Sequence, residues 1–296
     1  MNRVENNVTI DLTEPLPPGR MLFSQGMTVL ALLLTGLALL PLLAILVEIL
    51  RQGLPHLKWE VLTSLPAPVG VTDVPNGFAN AILGTLMMVT IASLISIPIG
   101  VLTSIYLAEF GKNQPLARAI RFVVTILSGV PSIVVGVFAY GVIVLTFKSF
   151  SALAGGFALA VIMLPIVILA TEEALKLVPT HQRLASAALG ANRIQTTFRI
   201  VIASALPGIT TGVLLAVARA AGETAPLIFT ALFTQDWPEG LLKPAPSMSV
   251  MIYNYANSAF VEQNQMAWTG SLILLGLVLV INILSRLITQ KRHKSR

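Results

Sequence analysis

Six stretches of this chain are too long and too apolar to belong to a water-soluble core. They run from Met27 to Val47, Ala79 to Leu107, Phe122 to Thr146, Ala152 to Ala170, Leu206 to Phe233 and Trp268 to Ile288. About 20 helical residues at 1.5 Å each cross the roughly 30 Å hydrocarbon layer of a bilayer, and these runs match that length. Composition agrees: 55% of the 296 residues are hydrophobic and 11% charged, whereas a soluble domain carries about a quarter charged residues. The expected fold class is an all-α integral membrane protein with six transmembrane helices. The first run exceeds a signal-peptide apolar region and is read as an uncleaved first span. With no cysteine in the chain, disulfide, thiol and cysteine–zinc chemistry are excluded.

Six spans put both termini on one side, and the basic residues decide which. With the amino terminus inside, fourteen of the 19 Lys and Arg residues fall on the inner side, and only Arg51, Lys58, Lys148 and Lys243 fall outside. That asymmetry places both termini in the cytoplasm and accounts for the net charge of +6 without nucleic acid. The expected organisation is a cytoplasmic tail over 1–26, a six-helix domain over 27–290 with its core at 79–288, and a basic tail over 291–296. Pro98 and Pro165 should kink their helices. Gly129, Pro131, Ser132 and Gly136 suit close helix contact. The outer connections 51–78 and 234–267, rich in proline and aromatic residues, are read either as rigid caps for an outer partner or as segments settled at headgroup depth.

The inner connection between the fourth and fifth spans, residues 176–204, is too long for a passive turn. Leu177, Leu184, Ala188 and Ala191 fall near helical spacing after Pro179, and Gly190 supplies a left-handed stop. Asn192 with Gln195 three residues on resembles a capping box that opens a second helix. Such a helix–glycine–helix hairpin can carry a push from a cytoplasmic partner into the fifth span. A helix lying on the membrane surface with no partner would have the same pattern.

The fifth span carries charge. Gly208, Gly212, Ala216 and Ala220 recur every four residues as a small-residue stripe for helix packing. Arg219 lies about 18 Å past Pro207, near mid-membrane, with Glu223 one turn further on the same face and Thr224 beside it. Exposing either charge to lipid costs at least about 2.5 kcal/mol, so both should face protein or a wet cavity. In one reading the pair neutralises itself and knits the bundle. In the other, Arg219 offers planar donors to an oxyanion such as phosphate while Glu223 orients it.

Taken in order, NGFANAILGTLMMV, PIGVLTSIYLAEFG, SGVPSIVVGVFAYG, LPIVILATEEALKLVP, ARAAGETAPL and SMSVMIYNYA resemble the permease subunits of bacterial phosphate ABC importers, the PstA type. Residues 176–204 are similar to the coupling loop of type I importers, with Leu184, Ala185, Ser186, Gly190 and Ile200 at or beside positions of its general motif. Leu184 stands where that motif has glutamate, Ala203 where it has proline, and Leu169 where many relatives carry arginine. The resemblance implies the type I, MetI-like permease fold and a place in the bacterial inner membrane. It implies a heterodimer with a PstC-type permease, two cytoplasmic PstB-type ATPases that bind ATP and Mg, and a periplasmic PstS-type phosphate-binding protein. It implies no cofactor, metal or nucleotide in this chain, in keeping with the absence of a P-loop spacing around Gly111 and Lys112.

An enzyme is not expected. His56, His181 and His293 lie in separate connections or the tail, without metal-ligand spacing. Glu172 and Glu173 point about 100° apart on a helix and are assigned to loop contacts. The remaining alternative is a secondary transporter or channel for an oxyanion such as sulfate or phosphate, which would not need the long inner loop.

Overall fold

The computed structural model describes residues 17–71, 74–111 and 113–294, with side chains in the last helix described to 283 and at 287. The expected tail through residue 16, Lys112 and the side chains of 291–296 lie outside the described residues. Two compact units are present, the first ending at Leu50. The described part of the first unit is helix α1, Pro18–Gly53, which runs on to Gly53 and whose apolar side chains are exposed, as lipid-facing residues of a span would be. It begins nine residues earlier than Met27, because the Pro17 carbonyl accepts from the amides of Arg20 and Met21 and opens the first turn within the expected tail.

The second unit is helical among the described residues. A 3-10 turn, Leu54–His56, and α2, Trp59–Thr63, lie in the connection 51–78. Then come α3, Ala79–Ile105, extended by a π turn, Tyr106–Phe110; α4, Pro115–Gly129; α5, Ser132–Ala139; a second π turn, Tyr140–Val144; and α6, Leu145–Phe147. Helix α7 covers Ala152–Lys176 and α8 Thr180–Ala188. Helix α9, Arg193–Thr196, passes through a π turn, Thr197–Val201, into α10, Ile202–Gly222. Helices α11, Ala225–Thr230, α12, Met248–Ala256, and α13, Val261–Lys294, complete the chain. Among the described residues five helices are long and apolar enough to cross a membrane, and a bent pair makes a sixth.

That bent pair corrects the expected third span. Phe122 to Thr146 is not one helix: Pro115–Gly129 and Ser132–Phe147 meet at 105°. Val130 is extended at φ −70°, ψ 129°, as the residue before Pro131 must be when the ring clashes with an α conformation. The fifth span is corrected at both ends. Its helix starts at Arg193, runs through Pro207 and stops at Gly222, after which Glu223 is extended. Pro98 and Pro165, by contrast, sit inside continuous helices.

Helix α7 is the pillar of this unit, packed against both α3 and α10, with two-thirds of its apolar window buried. Apolar side chains gain little by leaving lipid for protein, so close backbone approach has to hold such helices together. A Cβ added at Gly156 would sit 2.6 Å from Ile91 Cγ2 on α3, and one added at Gly208 would sit 2.9 Å from Ala174 Cβ. One at Gly212 would collide with Ala170 Cβ. Further along the stripe Ala216 and Ala220 are fully buried. Ser104 donates to the Ile168 carbonyl at 2.8 Å, tying α3 to α7 from inside. Of the expected small residues on the third span, Gly136 lies against Pro226 while Gly129 meets nothing within 4 Å.

Gly212→Ala should therefore destabilise the detergent-solubilised chain by about 1–3 kcal/mol through overpacking. Gly276→Ala, where the added atom meets nothing within 4 Å, should leave the thermal midpoint unchanged or higher. Equal midpoints for the two variants would mean that the α7–α10 contact is not limiting.

Candidate functional site

The connection over residues 176–204 is folded and tied down. Helix α8 starts after Pro179, whose φ of −62° suits the entry to a helix. Gly190 has φ +81°, a left-handed conformation that a side chain would strain. Asn192 and Gln195 form the reciprocal capping box, at 2.8 and 3.0 Å. Ser186 is buried and hydrogen-bonded to Thr196 at 2.9 Å, so the two arms of the hairpin meet across the glycine. Gln182, Ala185, Ser186, Leu189 and Ile200 help line a cavity of about 420 Å³ between them. The apolar side chains that the hairpin turns outward are Leu177, Leu184, Leu189, Ile194 and Phe198, with Leu189 90% exposed.

Beneath the hairpin lies a set of ion pairs that the sequence reading did not assemble. Glu172, with 3% of its side chain exposed, receives Arg121 Nε at 2.9 Å and Lys176 Nζ at 3.0 Å. Glu173 takes Lys176 at 2.8 Å. The buried carboxylate is thus held by α4 and by its own helix, which corrects its assignment to loop contacts. Glu109, also buried, receives Arg183 of α8 at 2.8 Å. Arg183 further donates to the carbonyls of Leu175 and Val178, and Arg193 donates to the Glu109 carbonyl while lying 5.1 Å above the Phe110 ring. One cue was present in the sequence. Glu109, Glu172 and Glu173 are the acids that fall in the inner connections between spans, amid many cations.

Arg219 stands elsewhere, in the last turn of α10, with 58% of its side chain exposed. Its Nε lies 3.4 Å from Glu223 Oε1, at the outer limit of a hydrogen bond. The expectation that Glu223 shares a helix face with Arg219 is corrected, because Glu223 is extended and Thr224 caps the following α11. The cause is local: Gly222 ends one helix and Pro226 sits in the first turn of the next. A broken helix frees backbone groups. Here the Glu223 carbonyl accepts from Ser249 Oγ at 2.8 Å, a serine of the SMSVMIYNYA stretch to which the sequence assigns no role. Irregular backbone inside a membrane domain is tolerated where it is buried or lines a wet cavity. An arginine at a helix C-terminus is also stabilised by the helix dipole.

The family model for the binding-protein-dependent transport system inner membrane component matches residues 96–294. The phosphate transport system permease protein PstA of Haemophilus influenzae is 43% identical over 84% of this chain and 87% of its own length. The chain belongs to the PstA-type permease family. Two further PstA permeases, from Yersinia pestis and Pasteurella multocida, are 41% and 38% identical, over 85% and 93% of this chain and 85% and 97% of their own lengths. Among solved structures, an inward-facing MetNI methionine ABC transporter matches with a TM-score of 0.59 at 20% identity, over 72% of this chain and 95% of that one. A bacterial ABC transporter for the acidic polysaccharide alginate matches at 0.57 and 14%, over 92% of this chain and 98% of that one. These likenesses establish the MetI-like permease fold, and the PstA-type chain is a multi-pass membrane protein.

The left-handed Gly190 predicts a graded response to substitution in this PstA-type hairpin. Gly190→Val should cost about 1–2 kcal/mol and raise the rate of tryptic cleavage after Arg193 some 5- to 30-fold, whereas Gly190→Asn should change it little. Equal cleavage rates for both variants would show that the positive φ does not limit the loop.

Proposed function

We propose that this permease is the transmembrane half of an ATP-driven phosphate importer, with a PstC-type permease as its other half. PstB-type ATPases would bind ATP and Mg and dock on residues 176–204 from the cytoplasm. A PstS-type binding protein would deliver phosphate from outside. The permease itself carries out no catalysis. Both termini lie in the cytoplasm, a reading supported by the weight of Lys and Arg on the inner connections.

The observation that carries the substrate assignment is the state of Arg219. Arg121 and Arg183 are each engaged by a buried carboxylate at 2.9 Å or less. Arg219 has one loose contact at 3.4 Å and remains more than half exposed, at the point where its helix breaks. A guanidinium in that state has planar donors left for an oxyanion, and phosphate takes them two at a time. Glu223 limits its swing. Leu169, 38% exposed, adds no second cation on this chain, so phosphate would meet one permanent charge here and others on the partner permease.

Docking of the ATPase rests on the outward apolar side chains of the hairpin. Leu184 replaces the motif's glutamate, so the docking surface is apolar at that position. The push would pass through the capped α9 into α10, because the helical path from Arg193 to Gly222 is unbroken. A gradient-driven carrier or channel would have no use for such a lever.

Arg219→Gln should bring ATP-dependent phosphate uptake to background in vesicles holding the complete transporter. The variant should still copurify with its partner permease and ATPases. Normal uptake by that variant would remove Arg219 from the pathway.

A further inference from the structure

Glu109 is a buried acid with no part in the pathway described above. It sits in the π turn that ends α3, with 8% of its side chain exposed. Its carboxylate holds Arg183, seven residues before Gly190, and its carbonyl accepts from Arg193, three residues after. The end of α3 thus grips the hairpin on both sides of its glycine. Arg183 also donates to the carbonyls of Leu175, in the last turn of α7, and Val178, just past its end, so three elements meet on one guanidinium. The same groups wall a cavity with Ala187, Ala191, Thr196 and Thr197, and no other acid among the described residues lines it.

An anchor alone would not require charge. Burying a carboxylate and a guanidinium together is a poor stabiliser compared with apolar packing of similar volume, whereas removing one partner leaves the other uncompensated. What such a pair does supply is a fixed geometry, since the planar fork engages one carboxylate oxygen and two carbonyls at once. Glu109 itself lies in a π turn, Tyr106–Phe110, and a second, Thr197–Val201, follows α9 directly after Arg193's helix turn. Turns of that kind are wide and tend to occur where a helix has to adjust.

We propose that Glu109 is a positioning residue that keys the inner hairpin to the end of α3, so that displacement of the hairpin moves α3 and α10 together. The proposal rests on the reading of residues 176–204 as the docking segment. Without Glu109 the hairpin would still fold, through the Ser186–Thr196 contact and the Asn192 cap, but it would swing against α3 and waste part of each ATPase stroke.

The chain has no native cysteine, so spin labels at Asn113→Cys and Ala188→Cys, both exposed, can report the distance between the α3 end and the hairpin in the assembled transporter. In the parent the distance distribution should be narrow with and without ATP. In Glu109→Gln it should broaden, and phosphate taken up per ATP hydrolysed should fall at least about fivefold, the lower range of coupling between sites. Glu109→Asp, which keeps the charge, should recover most of both readouts. An unchanged distance distribution or unchanged uptake per ATP in Glu109→Gln overturns the proposal, as does equal impairment of the Asp and Gln variants. A parent complex that takes up no phosphate would sink the transport reading instead, and the distance distributions would still judge the clasp.

Discussion

Helices that cross in lipid gain nothing by hiding apolar side chains from water, so their backbones must come close enough for dispersion forces and a few polar contacts to hold them. In this chain that requirement falls on α7. Its glycines admit α3 on one flank, and on the other its alanines lie against Gly208 and Gly212 of α10. Both the Arg219 helix end and the hairpin are held in place by these two contacts. Helix α10 carries Arg219 at one end and continues into the hairpin at the other, and α3 ends in the π turn that holds Glu109.

The two ends of this three-helix seam have opposite electrostatic character. At the end that carries the hairpin, the arginines Arg121 and Arg183 are drawn onto buried carboxylates at short distance, which fixes elements of distant sequence against one another. At the far end Arg219 is left loosely paired beside a broken helix. A satisfied cation serves architecture, and a poorly satisfied one is available to a ligand. The same side chain can do either, and burial and the distance to the nearest acid separate the two uses.

Much of this could be read in the residues. Periodicity and length located the membrane helices, and the Asn192 and Gln195 pair with Gly190 marked the hairpin as folded, because caps and turns are local chemistry. The breaks were harder. Pro131 and Pro226 were visible, but each lies within an apolar run long enough to span unbroken, so hydropathy outweighed the backbone signal, and Glu223 was set on a helix face that does not exist. Glu109 was out of reach for a different reason. Its partner lies 74 residues away, and no local pattern joins an acid at the end of one helix to an arginine in a loop two spans later. The match to PstA permeases supplies the family but not that contact.

On the proposed function, this membrane domain moves phosphate only when its hairpin is driven by ATP hydrolysis. The most direct measurement is uptake of radiolabelled phosphate into vesicles containing the chain with its partner permease, ATPases and binding protein, with and without ATP, and with excess sulfate as competitor. The account predicts uptake that requires ATP and resists sulfate. Uptake that proceeds without ATP, driven by an ion gradient, would contradict it.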